Sequence, residues 1–376
     1  MTPSNVGQHD LKATITRRGY CFVSLWAAGI LLLYVIGGCV GVRALQGHKA
    51  ETEELRQAWI GSATAEPGAQ APDMRIPPEA SPVDVRVGVY LNSIGEFSLR
   101  DAGWTADFDI WFRWTGDGSG PGESFQVVNG QIEQRDKEEA YVKGQEQYER
   151  YRVKARLTKY FDPSRFPFSD EALTIQVEDG AVGADRLHYV ADEQGSGINR
   201  LGIPPSLRIT KSLMAVKLHS YGSGRGNPRL PVGVEDVHSR FIFALLVSPP
   251  GAGVYFKMFQ ALFASVAIAF LAFFIKPTFV DPRFGLGIGA VFAAVGNNIF
   301  VGTLLPQGER IALTNMVNAI GLGTIFLTLV QSTISLHIED RMGRERLRSL
   351  FDKVSSAVFL TGYAVVNLTL PFAARP

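Results

Sequence analysis

Asp281, Gly285, Gly289, Phe292, Gly296 and Ile299 recur at helical spacing, three or four residues apart. They make a stripe with a carboxylate at one end, no bulky polar group along it and two large apolar side chains in its second half. Set around an axis by several copies of the chain, such a stripe could pass ions. The Asp281 carboxylates would form a charged ring, and Phe292 and Ile299 would form constrictions that close by dewetting. The same spacing also fits a packing face, because small residues let membrane helices approach closely. Both uses stay open on periodicity alone.

No catalytic constellation accompanies the stripe. HExxH, GxSxG and the Walker loop are all missing, and GLGIGA at Gly285 to Ala290 lies inside an apolar segment with no strand before it. The expectation is a protein that is not an enzyme and needs neither cofactor nor metal. Cys21 and Cys39, the only two cysteines, both fall in the first apolar segment, so no disulfide framework or thiolate metal site can be built elsewhere. Glu178 and Asp179, with Asp107 and Asp109, are oxygen donors of the kind calcium takes, but nothing in the sequence brings the two pairs together. His188, His219 and His238 could titrate near neutral pH or be plain surface residues. A net charge of +1 leaves no basic face for nucleic acid.

The elements that must position the stripe are apolar segments. The 376 residues are 46% hydrophobic, unevenly spread. Asp281 to Pro306 is long enough to cross a bilayer, at about 1.5 Å per residue against about 30 Å of hydrocarbon. So are an N-terminal segment and the segments Val254 to Ile275, Thr314 to Leu336 and Leu350 to Leu370. Arg17 and Arg18 precede the first of them. Lys276, Arg283 and the run Arg341 to Arg348 flank the hairpin turns among the last four. The positive-inside rule then gives five crossings with a cytoplasmic N-terminus and residues 82–250 on the outer side. Residues 1–18 are the cytoplasmic N-terminus and 19–43 an N-terminal transmembrane helix. Residues 44–81, rich in Glu, Ala, Gln and Pro, read as a flexible linker. Two processed forms compete with the anchor: a cleaved signal peptide, and a lipoprotein with Cys39 in IGGC as its lipidation site. Residues 251–376 hold the last four helices. Asn297, Asn298, Asn315 and Asn318 fall within them, where amides usually bridge helices.

Residues 82–250 alternate as strands of an antiparallel sandwich. Trp104, Ala106, Phe108, Ile110, Phe112 and Trp114 share one strand face; Thr105, Asp107, Asp109, Trp111 and Arg113 share the other, which makes Trp111 a large aromatic on a polar face. In YRVKARLTKYF the cations Arg150, Arg152, Lys154 and Arg156 alternate with Tyr151, Val153, Ala155 and Leu157. That cationic face is either solvated or meets the acidic Asp107 and Asp109 face of a neighbouring subunit.

The whole is a multi-domain membrane protein, an extracytoplasmic β-sandwich followed by a four-helix transmembrane bundle, with one further helix in front. This layout resembles the pentameric ligand-gated ion channels, the Cys-loop superfamily with its prokaryotic relatives that lack the disulfide. Three stretches carry the resemblance. YFDPSRFPFSDEALTIQVE, with Phe166, Pro167 and Phe168, looks like the signature loop, whose core reads Phe-Pro-Phe-Asp before an alternating strand. Trp114 followed by Asp117 is similar to the family's tryptophan at the end of its second strand. Asp281 through Leu305 and Pro306 matches the pore helix in length and layout. The similarity covers about residues 83 to 372.

The resemblance implies a homopentamer in the cytoplasmic (inner) membrane, in contact with lipid and permeant ions. Its pore would be lined by Asp281, Gly285, Gly289, Phe292, Gly296 and Ile299, cation-conducting by virtue of Asp281. Phe166, Pro167 and Phe168 would form a coupling loop, working with Gly95 to Gly103 and Pro306 to Arg310. It also implies a small-molecule ligand under the hairpin Leu218 to Val237, where Tyr221, Arg225 and Arg229, with Trp111 and Tyr189, could hold a cation or an anion. Four differences from the family stand out: Ser169 replaces the aspartate of the signature loop, Val247 and Ser248 replace an arginine, the first bundle helix lacks a proline, and the N-terminal helix is an addition. These leave a second function open, a non-conducting pentameric sensor or partner-binding protein of the same architecture.

Overall fold

The computed structural model describes residues 15–60, 81–116, 120–228, 230–248, 251–305 and 311–375. It has a β-sandwich-like region between one N-terminal and four C-terminal apolar helices.

Ten strands make the β-region: β1 (Val83–Ser98), β2 (Gly103–Thr115), β3 (Phe125–Val127), β4 (Gly130–Lys143), β5 (Glu146–Thr158), β6 (Glu171–Asp179), β7 (Leu187–Ala191), β8 (Gly197–Ile198), β9 (Arg208–Ser220) and β10 (Val237–Ser248). One sheet runs β4-β5-β2-β1-β7 with β8 also on β1; the other runs β3-β6-β10-β9. The second is antiparallel throughout, but β7 and β8 pair with β1 in parallel, so the first sheet is mixed rather than wholly antiparallel.

Alternation places the core. Trp104, Ala106, Phe108, Ile110, Phe112 and Trp114 all turn inward, where they meet Leu173, Ile175, Val177, Phe241, Phe243 and Leu245 of the facing sheet. The cationic residues of β5 turn outward, as their period requires. Two of them find partners within the chain. Arg152 makes two bonds to Asp107 on the adjacent strand, at 3.2 and 3.1 Å, and Arg150 pairs with Glu138 and Glu139 of β4. Within the chain, Asp107 is thus met by the adjoining strand, and Lys154 and Arg156 stand exposed to solvent.

Five helices follow the expected spans: α1 (Arg17–Ile60), α2 (Gly251–Leu271), α3 (Val280–Leu304), α4 (Leu313–Asp340) and α5 (Glu345–Ala373). Each is long and apolar enough to cross a membrane, which makes this a multi-pass membrane protein. The first corrects the expected linker, since its helix runs on to Ile60 rather than ending at residue 43. Residues 44–60 are mostly Ala, Leu, Gln, Lys, Glu and Arg with no proline, and such residues favour helix even where they bury little. The rest of the expected linker, 61–80, lies outside the described residues.

Candidate functional site

Two faces of α3 differ sharply. Arg283, Gly287, Ala290, Ala294, Asn297 and Val301 are buried against neighbouring helices. A side chain at Gly287 would collide with Leu329 of α4, and Asn297 donates to the Asn318 carbonyl at 3.3 Å, an amide bridge of the kind the sequence suggested. Asp281, Gly285, Gly289, Phe292, Gly296 and Ile299 all lie on the opposite face, exposed in the single chain. Phe292 is 74% exposed, and nothing stands within 4 Å of where a Cβ would be at Gly285, Gly289 or Gly296. The stripe therefore contributes nothing to packing within the chain.

Two residues from Asp281, on the packed face, lies a polar cluster that periodicity did not find. Arg283 is fully buried. Its guanidinium donates to the Ile275 carbonyl at 2.8 Å, Ser332 at 3.2 Å, Gln331 at 3.3 Å and the Asp352 carboxylate at 3.2 Å. Gln331 also donates to Asp352 at 2.7 Å, and Arg348 lies 3.6 Å from the same carboxylate and 3.0 Å from Glu339. The cluster ties the first turn of α3 to α4 and α5. Its signal in the sequence was an aspartate and an arginine inside apolar segments, which are costly there unless paired. Arg283 had been counted only as a flanking charge.

At the other end of the bundle the β-region meets the helices through the expected loops. Phe168 packs on Tyr255 of α2 with ring centroids 5.7 Å apart, and Gly251 lies directly beneath its ring. Asp162 caps the short 3-10 turn Pro163–Arg165 by accepting from the Ser164 N–H at 2.9 Å. Asp170, beside Ser169, accepts from the Ser248 hydroxyl, so the loop bonds to the segment entering α2. In the β1–β2 turn, Arg100 reaches the Thr303 carbonyl at the end of α3 at 3.5 Å. Pro306 to Arg310 lie outside the described residues. Glu171, just after the loop, is 8% exposed, and burial pushes its carboxyl up to about 7; the neighbouring Asp162 adds to the rise, while Lys159, Arg165 and the Ser169 hydroxyl oppose it.

The expected ligand residues are not brought together as one open site. Tyr189 is wholly buried in the sandwich core, stacked near Phe112 at 6.1 Å, and burial raises its phenol well above the ordinary value. Trp111 does sit on the polar face of β2, but Gly88 opposite gives its ring room to lie flat. Its Nε1 donates to Asp192 at 3.0 Å, which also holds Arg113 at 2.9 Å. Tyr221 and Arg225 do meet, the guanidinium lying 4.0 Å from the ring centroid. The Tyr221 hydroxyl donates to Glu178 at 2.7 Å, and Glu178 accepts from Arg240 at 2.6 Å. Arg229, like Asp117, lies outside the described residues.

Asp107 and Asp109 stand on the mixed sheet, and Glu178 and Asp179 end β6 on the other. Among the described residues no three such side chains gather closely enough to hold a metal ion. Asp179 instead accepts from Ser124 and from the N–H groups of Ala181 and Val182. Of the histidines, His188 lies 3.0 Å from Asp84 at the surface. His238 is buried, between the Asp179 carbonyl and Asp236.

No family model matches the chain, and no curated protein matches it either.

Proposed function

We propose that the chain forms a homopentameric ligand-gated channel of a cytoplasmic membrane, in which the exposed face of α3 lines a cation pore. One observation carries this reading: the whole stripe from Asp281 to Ile299 is left bare by the chain's own helices while the opposite face is fully packed. A helix gains nothing by presenting three glycines to lipid, whereas small residues around an axis leave a lumen. Asp281 would attract cations at one mouth, and Phe292 and Ile299 would close the middle.

The charges support an orientation. Gly19 of α1 packs on Leu347 of α5, and Arg283 bonds Asp352, so Arg17, Arg18, Lys276 and Arg341 to Arg348 gather at the end of the bundle away from the β-region. With that end cytoplasmic, the β-region faces outward and its loops press a ligand's effect onto α2 and α3. The ligand is a small molecule held between β-regions, with Tyr221 and Arg225 on the hairpin side; no catalysis is proposed.

Purified protein in planar bilayers tests this. Under a sodium gradient the reversal potential should lie near that for sodium, and Asp281→Lys should move it toward the anion side. A potential unmoved by the reversal would contradict the role of Asp281. Persistent silence of the wild type and of Phe292→Ala, with outer-side ligands present, would favour the non-conducting pentameric sensor.

A further inference from the structure

The one helix that the channel layout does not use is α1, and it is tied to the rest of the chain along its length. A single stripe of α5 receives it. Gly19 sits against Leu347, and Phe22 and Trp26 stack near Phe351 at 5.7 and 5.6 Å. The Trp26 Nε1 donates to Ser355 at 3.1 Å, the Tyr34 ring fills the space beside Gly362, and Gly41 admits Leu370. The Tyr34 hydroxyl also lies 2.8 Å from that of Thr324 on α4. These are two side-chain hydrogen bonds inside an apolar layer, where an unmade bond is costly. Glycines at 19, 41 and 362 let the backbones approach.

Past the apolar layer the same unbroken helix touches the coupling loop. The Thr52 hydroxyl donates to its own His48 carbonyl at 2.7 Å and lies 3.4 Å from the Asp162 carboxylate, a longer contact that reaches the loop. Asp162 is the residue that caps the 3-10 turn before Phe166. Lys49 reaches the Arg375 carbonyl at 3.5 Å, and the Arg375 guanidinium stands 6.0 Å over the Phe168 ring. Thus α1 meets the start of the loop directly and its end through the C-terminus of α5.

We propose that α1 is a strut that sets how firmly the loop Asp162 to Phe168 is held on the bundle. α1 is one unbroken, proline-free helix of 44 residues, so a single element joins both ends and carries any axial shift between them. The long Thr52–Asp162 contact is the point that such a shift would make or break. This rests on the membrane-spanning reading of the helices and deepens the channel reading by naming a control on its coupling loop.

Hydrogen exchange of the full-length protein in lipid nanodiscs tests it without needing a current. The readout is the Ser164, Phe166 and Phe168 amides, bonded in turn to Asp162, Pro163 and Arg165. Two variants are compared with wild type: Thr52→Val at the contact itself, and the conservative pair Trp26→Phe with Tyr34→Phe, which loosens α1 mid-membrane, far from the loop. Both should speed exchange of the three amides several-fold and leave the β2–β5 ladder unchanged. Unchanged loop exchange in both variants overturns the proposal. So does faster exchange throughout the protein, which would make α1 only a stabilising helix. A responsive loop in a protein that never conducts keeps the strut and sinks the channel; an unresponsive loop in a conducting protein does the reverse.

Discussion

On the face of α3 that meets α4, Gly287 is filled by Leu329, and on the opposite face Gly285, Gly289 and Gly296 have nothing within reach of a side chain. The same residue type therefore serves close packing on one side and stands clear of the chain's own packing on the other. The contrast extends to charge. Arg283, on the packed side, is buried and bonded to three side chains and a carbonyl, whereas Asp281, two residues earlier, is exposed. What a single chain needs to fold lies on one face; the other is available for an assembly.

The sharpest way to break that contrast is to attack the buried charge. Asp352→Ala leaves Arg283 unpaired among apolar helices and should lower stability by about 3–5 kcal/mol in denaturant unfolding of detergent-solubilised protein. Asp281→Ala should change it by under about 0.5 kcal/mol. Equal losses would mean that the two charges are not differently placed.

Glycine substitutions sharpen it next. Gly287→Val must displace Leu329 and should cost about 1–3 kcal/mol. The same change at Gly289 meets only open space within the chain and should leave the monomer's unfolding midpoint nearly unchanged.

The last effect is read across a pH range and concerns Glu171, beside the loop that meets α2. Glu171 ionises near pH 7 when folded against an ordinary value of 4.5. A carboxyl raised in this way favours the folded state fully below pH 4.5, and that contribution is lost as pH rises through 7. The melting temperature should therefore fall between pH 5 and 8 by more in the wild type than in Glu171→Gln. Parallel slopes would remove Glu171 from the junction's titration.

Period was enough to read the strand faces of β2 and β5, because a half-buried element writes its buried face into its spacing; it picked out the α3 stripe without deciding whether that face packs or stands bare. Segment lengths were enough for the five apolar helices. What spacing could not supply was partnership across the chain. Arg283 and Asp352 stand 69 residues apart and look like a flanking charge and a stray one until α3 and α5 meet. Trp111 looked free because nothing local announces that the Asp192 loop covers it. Tyr189 looked available because its strand is short, and the buried side of a five-residue strand is set by the sheet it joins in parallel. The run of α1 past residue 43 was hidden by reading polarity as disorder where helix propensity decides.

The bare face of α3 is tested most directly by water access. With Cys21 and Cys39 replaced by serine, single cysteines at Gly285, Gly289, Phe292, Gly296 and Ile299, and at Ala290 and Ala294 for comparison, would be exposed to a charged, membrane-impermeant thiol reagent in sealed proteoliposomes. If the stripe lines a pore, the first set labels and the second does not, with labelling beyond Phe292 depending on whether that ring blocks the axis. A stripe as inert as Ala290 and Ala294 at every position would mean that the face is closed to water by lipid or by another helix, and the pore reading would fail.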